Sequence, residues 1–312
     1  MSRVLVAGEA LIDFLPIEGM KDKAFWAKPG GSPLNVAVGL SRLGVDSSFL
    51  GKLSWDQFGE LLKSHLTENR VDLTFLVRGR EPTALSFVDL TGGREPTFSF
   101  YGEGTADAKL TLDDIPAELP DDVIAIHLGS LAMVREPCST AFAKLMRREH
   151  RRRLISFDPN IRPGQMLEPT EYRRRFMGWL PLIGVLKLSR ADLSYISPGS
   201  SEREAVRDWL LRGPKLIVVT SGRSGARAYT ASVEVVVKAP PVEVVDTVGA
   251  GDAFTAGLLA ALDWLGKLSK EAITGLSELD LKRALEYAAK VAAITCTRVG
   301  ADPPRRAEIG EP

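Results

Sequence analysis

The chain has 312 residues, 45% of them hydrophobic and 26% charged, the composition of a globular protein rather than of a fibrous or disordered one. Forty basic and forty acidic residues cancel, so no global field is available to recruit nucleic acid or an anionic membrane surface. No apolar run reaches the roughly 18 residues that span a bilayer, residues 1–10 lack the apolar core of a secretion signal, and Cys138 and Cys296 stand far apart in no metal-ligand spacing. The expectation is a cytoplasmic protein in a reduced compartment.

Residues 3–7 (RVLVA) form a β-rich run that stops at Gly8, with Glu9 and Asp13 beyond it. Gly30-Gly31-Ser32-Pro33-Leu34-Asn35 opens an amphipathic helix: Val36, Ala37, Leu40 and Leu43 recur at helical spacing, and Gly44 stops it. Residues 48–53 read as a strand, and 57–66 as a helix capped by Asp56. The texture changes at 84–101, where Leu85, Phe87, Leu90, Phe98 and Phe100 flank a hairpin-like turn at Thr91-Gly92-Gly93-Arg94. Together with residues 14–28 this stretch predicts a small antiparallel sheet standing off the main body.

From Val123 strands and helices alternate, at 123–128, 137–148, 154–157, 172–179, 185–188, 202–211 and 216–220. That order predicts βαβ units and a mostly parallel sheet covered on both faces. The basic run from Arg147 to Arg153 reads as a solvated helix end and turn. A hairpin about Ala231-Ser232 and helices at 250–265 and 279–295 follow, with a polar tail after Asp302. The length admits two domains, or one α/β sheet with a small appendage.

The strongest chemical signal is DTVGAGDAFTAG, from Asp246 to Gly257. A valine-rich strand at 242–245 is expected to run into a glycine turn and then an apolar helix. Glycines let backbone N–H groups converge at the helix start, where free donors and the macrodipole favour an anion such as a phosphate. An aspartate there, Asp252, is poised to take a proton from an attacking hydroxyl, and the helix start should keep its pKa low. A dinucleotide fingerprint would need glycine where Phe254 stands, and a P-loop needs Gly-Lys-Ser/Thr, which Gly51-Lys52-Leu53 does not provide. The competing reading is a tight strand–helix turn with a capping aspartate.

This segment resembles the second signature of the ribokinase-like (phosphofructokinase-B type) sugar kinases, and residues 30–44 (GGSPLNVAVGLSRLG) resemble their first. The likeness is collinear through GEALID at 8–13, GKLSWDQFG at 51–59, VTSGRSG at 219–225 and TCTRVGA at 295–301. It implies a three-layer α/β sandwich with a mostly parallel central sheet and a small β-sheet lid, here from about 14–28 and 84–101 of a single kinase domain. It implies Asp252 as catalytic base, the N–H groups of Gly249, Ala250 and Gly251 as anion hole, and Asp13, Gly31 and Asn35 as sugar contacts. Thr220, Gly222 and Gly225 resemble nucleotide contacts. Asp246, with carbonyls near Val248 and in 295–300, resembles a potassium site. The bland alternative for Asn35 is an ordinary first-turn polar residue.

Asp158-Pro159-Asn160-Ile161-Arg162 resembles a segment of fructokinases and ketodeoxygluconate kinases, with Arg162 facing the transferred phosphate; a surface ion pair is the competing role for that arginine. Ser189-Arg190-Ala191-Asp192 stands for the family's Asn-x-x-Glu, making Asp192 the residue that supports magnesium through water. Phe98-Ser99-Phe100-Tyr101 resembles the fructokinase Phe-x-Phe-Tyr-Arg, with Gly102 in place of the arginine. His127 is expected to be packed at a strand end. The function implied is ATP-dependent phosphorylation of a small neutral sugar at a primary hydroxyl, fructose first, with Mg2+ and K+ as cofactors and a homodimer through the lid. Ketodeoxygluconate kinase and ribokinase are the alternatives within the class. A catalytically inactive homologue acting as a binding subunit is the alternative outside it.

Overall fold

Side-chain alternation along β1 (Arg3–Ala7) decides the layering, because Val4 and Val6 enter one hydrophobic cluster while Leu5 and Ala7 enter the other. The computed structural model describes residues 2–17, 22–89, 97–165 and 167–311. After β1 come β2 (Leu11–Ile17), β3 (Ala24–Gly30), α1 (Ser32–Arg42), β4 (Asp46–Leu50), β5 (Lys52–Ser54) and α2 (Gln57–Glu68). Then follow β6 (Val77–Gly79), β7 (Ala84–Asp89), β8 (Thr97–Tyr101), β9 (Val123–Gly129), α3 (Cys138–Glu149) and β10 (Leu154–Asp158). The chain continues through α4 (Pro169–Trp179), β11 (Val185–Ser189), α5 (Arg190–Ile196), α6 (Glu202–Leu210) and β12 (Leu216–Thr220). It closes with β13 (Ala226–Tyr229), β14 (Glu234–Val237), α7 (Ala250–Trp264), α8 (Glu278–Thr295) and α9 (Arg306–Ile309).

The main sheet runs β14-β13-β12-β11-β10-β9-β1-β4; it is parallel from β4 to β12 and ends in the expected antiparallel hairpin. Its inner strands are buried on both faces, which is why LIVV in β12 and VLKL in β11 read as unbroken runs. Helices α1, α7 and α8 cover one face, α3, α4 and α6 the other. The helices of the first face cross closely: a Cβ at Gly39 would stand 2.6 Å from Ala256 Cβ, and one at Gly257 2.9 Å from Ala288 Cα.

Several expectations need correction. The helix opened by Gly30-Gly31 is buried on every side from Ser32 to Leu40, since α7 takes the face expected to meet solvent. The strand expected at 48–53 divides at Gly51: β4 pairs with β1, while β5 leaves for β6. The small sheet, β3-β2-β7-β8, is mixed rather than antiparallel, because β2 and β7 come from distant parts of the chain and pair in parallel. Leu90 and the turn at 91–94 lie outside the described residues, as do 18–21. Residues 242–245 form no strand; Val242, Val244 and Val245 are exposed, and the segment is tied by Val245 N–H to the Cys296 carbonyl. Within the basic run Arg153 is buried, not solvated: it pairs with Glu149 and donates to the carbonyls of Leu119, Pro120 and Val123. The polar tail is docked, with Pro303, Pro304 and Ile309 buried.

Candidate active site

Asp158, Ser189 and Thr220 end β10, β11 and β12, and Gly8 and Ser130 follow β1 and β9. All lie at the carboxyl edge of the sheet, where parallel α/β folds hold ligands. The first turns of α1 and α7 meet at one carboxylate. Ser32 Oγ donates to Asp252 Oδ1 at 2.7 Å, and Asn35 Nδ2 donates to Oδ2 at 2.8 Å. Asp252 is 7% exposed. Burial raises its pKa and the Asn35 and Ser32 donors oppose the rise, so the low value expected from the helix start is overturned by desolvation.

The turn before α7 takes its shape from Gly249, whose φ of 74° is left-handed and whose missing Cβ would stand 2.8 Å from Ala301 Cα. The 295–301 loop therefore lies directly on the turn. Asp246 straps the two together: Val248 N–H donates to Oδ1 at 3.0 Å and Gly300 N–H to Oδ2 at 2.8 Å. Among the three N–H groups expected to face an anion, that of Ala250 turns back to the Thr247 carbonyl at 3.2 Å.

Asp13 lies on β2, leaning over Gly30 of β3 and hydrogen-bonded to Ser86 of β7. Burial lifts its pKa to about 6; the Ser86 bond opposes this, the Asp252 charge adds to it and the Arg162 charge opposes it. Asp13, Asp252 and Arg162 thus sense one another across the same cleft. Arg162 donates to Asn160 Oδ1 at 2.7 Å. Its loop is held from below, since Ile161 N–H donates to Asp192 Oδ1 at 2.8 Å. Asp192 Oδ2 accepts from Ser189 N–H at 2.8 Å and Oγ at 2.6 Å, closing the capping box of α5.

Beneath the turn, Lys187 of β11 makes a buried ion pair with Asp158 at 2.7 Å. Thr255 Oγ1 lies 3.3 Å from the same Asp158 oxygen and 3.1 Å from the Gly251 carbonyl. Thr220 and Ser189 are register partners on β12 and β11, and Gly222 and Gly225 bound a 3-10 turn just beyond.

A family model described as pfkB family carbohydrate kinase matches residues 1–307. The chain belongs to that family. A fructokinase of Rhizobium leguminosarum bv. trifolii is 37% identical over 280 residues, 89% of this chain and 85% of that protein. The crystal structure of a Xylella fastidiosa fructokinase with bound ATP has a TM-score of 0.89 at 30% identity, covering 96% of this chain and 93% of that one. A Vibrio cholerae O395 fructokinase in a fructose-, ADP- and calcium-bound form has a TM-score of 0.84 at 31% identity, covering 96% and 94%.

In this carbohydrate kinase the structure brings Asp252, Asn35, Asp13 and Arg162 into one cleft, with Gly31 as N-cap of α1 beside them. Thr220, Gly222 and Gly225 stand further along the sheet edge. Asn35 is no mere first-turn polar residue, because its amide reaches Asp252. His127 is buried in β9 against Ser156, as packing predicted. Three residues were missed. Ser32 has no sequence signal beyond its place in the first turn of α1. Lys187, a lysine inside an apolar strand, could have been found as a buried charge in need of a partner. Glu9, 2% exposed with its pKa raised by burial to about 7, accepts from Ala132 N–H at 3.0 Å in the wall behind Gly31.

Proposed function

We propose that this carbohydrate kinase transfers the γ-phosphoryl group of ATP to a primary hydroxyl of fructose, giving fructose 6-phosphate. The observation that carries the reading is Asp252 itself: a buried carboxylate in the first turn of α7, gripped by Ser32 and Asn35 of the sugar-side helix. Asp13 and Asn35 hold the sugar, and Asp252 orients the attacking hydroxyl and takes its proton as the bond to phosphorus forms. A pKa raised by burial makes Asp252 a better base than a solvated aspartate. The first-turn N–H groups and Arg162 face the charge that spreads over the transferring oxygens. Fructose is favoured by the likeness to fructokinases, one of them in a fructose-bound form.

Magnesium would arrive with ATP and neutralise charge on its phosphates. The described residues hold no cluster of three or more acidic, histidine or cysteine side chains for a resident ion, and the carboxylate of Asp192 already accepts three bonds. Asp192 would meet an ion carried on the nucleotide through water. Potassium would sit against carbonyls of 246–248 and 295–300. The small sheet closes over the sugar to exclude water, and its exposed Phe25, Trp26 and Tyr101 pair with a second copy. Among the described residues no helix is long and apolar enough to cross a membrane.

Measuring kcat/KM for fructose, ribose, glucose and ketodeoxygluconate tests the substrate. Fructose should lead, whereas a tenfold preference for another sugar, about 1.4 kcal/mol in transition-state binding, removes fructose and leaves the kinase.

A further inference from the structure

Arg135 follows the 3-10 turn Ser130–Met133 after β9, behind the wall formed by Glu9 and Gly31. Its guanidinium stands over the Phe100 ring of β8, with Cζ 4.0 Å from the centroid. A Cβ at Gly102 would stand 1.8 Å from Phe100 Cε1 and 2.4 Å from Arg135 Nη1. The glycine is thus required by the stack, and it stands where the fructokinase-like segment has an arginine. Nη1 is buried without a hydrogen-bond partner among the described residues, 3.8 Å from Asp107 Oδ2. Asp107 accepts from Thr105 Oγ1 at 2.6 Å, and the same hydroxyl lies 2.9 Å from the Gly102 carbonyl. Arg135 and Asp107 therefore hold both the ring and the backbone at the point where β8 leaves the small sheet.

We propose that Arg135 is a positioning residue for sugar recognition, supplying from the β9–α3 connection the guanidinium that pins β8, through Phe100 and Asp107, at the sugar end of the cleft. A stacked guanidinium is held by its plane as well as its charge, so lysine is no substitute. Phe100 is the register partner of Ser86, the residue hydrogen-bonded to Asp13, so loss of the contact acts on sugar binding and leaves the nucleotide end unchanged. This rests on the small sheet closing over the sugar.

The test is a double-mutant cycle of Arg135→Ala and Phe100→Leu, with Arg135→Lys alongside, preceded by the wild type on fructose, ribose, glucose and ketodeoxygluconate. The cycle is run on the sugar the wild type prefers, so a wrong substrate and a wrong role for Arg135 show separately. Arg135→Ala should raise the sugar KM about tenfold, with the ATP KM within about twofold and kcat within about threefold. In the Phe100→Leu background it should add less than about twofold. Arg135→Lys should recover only a minor part. Hydrogen exchange, which needs no turnover, should quicken at 97–105 in Arg135→Ala and stay unchanged in β10 to β12. Additive effects in the cycle, equal rises in both KM values, full rescue by lysine, or unchanged exchange at 97–105 would each overturn the assignment.

Discussion

Asp252 is pulled two ways: burial resists its charge, while Ser32 and Asn35 donate to it. The balance leaves a carboxylate that is both fixed in place and more basic than in water. Asp252→Asn keeps the size and both neighbours, so turnover should fall by a factor on the order of 10² or more with substrate binding nearly intact. Near-normal turnover would remove Asp252 from the mechanism. Asp13 makes a different prediction. Two hydroxyl bonds to a carboxylate are worth roughly 1.5–3 kcal/mol each, so Asp13→Ala should weaken fructose far more than ATP in calorimetry. Its pKa, about 6 in the free protein, also sets a pH window. A raised pKa means the folded state binds the proton more tightly than the unfolded one, so this group's contribution to stability is full below 3.8 and is lost as pH rises through 6. Sugar binding runs the other way, because hydroxyl donors need the carboxylate. The fructose KM should rise as pH falls through 6, and Asp13→Asn should remove that part of the profile, leaving any contribution of Glu9, near 7, in place.

At the scale of elements, the turn before α7 is one body with the 295–301 loop, joined by Asp246 to Gly300 and by Val245 and Asp246 N–H groups to the Cys296 carbonyl. A cation bound to carbonyls of these segments would stiffen the turn proposed to hold the phosphate. Potassium should therefore raise turnover or ATP affinity over sodium and lithium at equal ionic strength, and identical activity in the three salts would reject the site. The small sheet is built on ring contacts: Phe14 stacks on Phe87 at 4.7 Å, Phe25 meets Phe87 edge-on at 5.5 Å, and Phe58 of α2 anchors Phe14 at 5.7 Å. Each such pair adds about 0.5–1.5 kcal/mol beyond its buried area. The sheet thus keeps its own shape while resting on α2.

For the whole molecule, the surface question is what covers the small sheet. Trp26, 47% exposed, lies on the Asp13 face of the sheet, while Phe25 and Tyr101, the latter 63% exposed, flank Phe87 on the other face; among the described residues the edges β3 and β8 carry no further strand. A second copy wrapped about an edge of the sheet would cover rings on both faces. Sedimentation velocity should find a dimer for the wild type and a monomer for Trp26→Glu. A wild-type monomer at micromolar concentration would end the proposal without touching the kinase chemistry.

Local chemistry by itself determined the order of strands and helices, the Asp56 cap, the glycine turn with its aspartate, and the edge of the sheet where ligands belong. Those signals are carried by residues a few positions apart, through side-chain period, backbone φ and first-turn donors, and they survive whatever the rest of the chain does. Tertiary structure alone decided matters that depend on a partner distant in the chain. Residues 242–245 have strand-like chemistry but gain no strand partner, so they stay exposed. The parallel pairing of β2 with β7, the Lys187–Asp158 pair beneath the turn, and Arg135 in the space above Gly102 each join segments dozens of residues apart. The direction of the Asp252 pKa belongs with them, because desolvation is set by everything packed around a group and not by its neighbours along the chain.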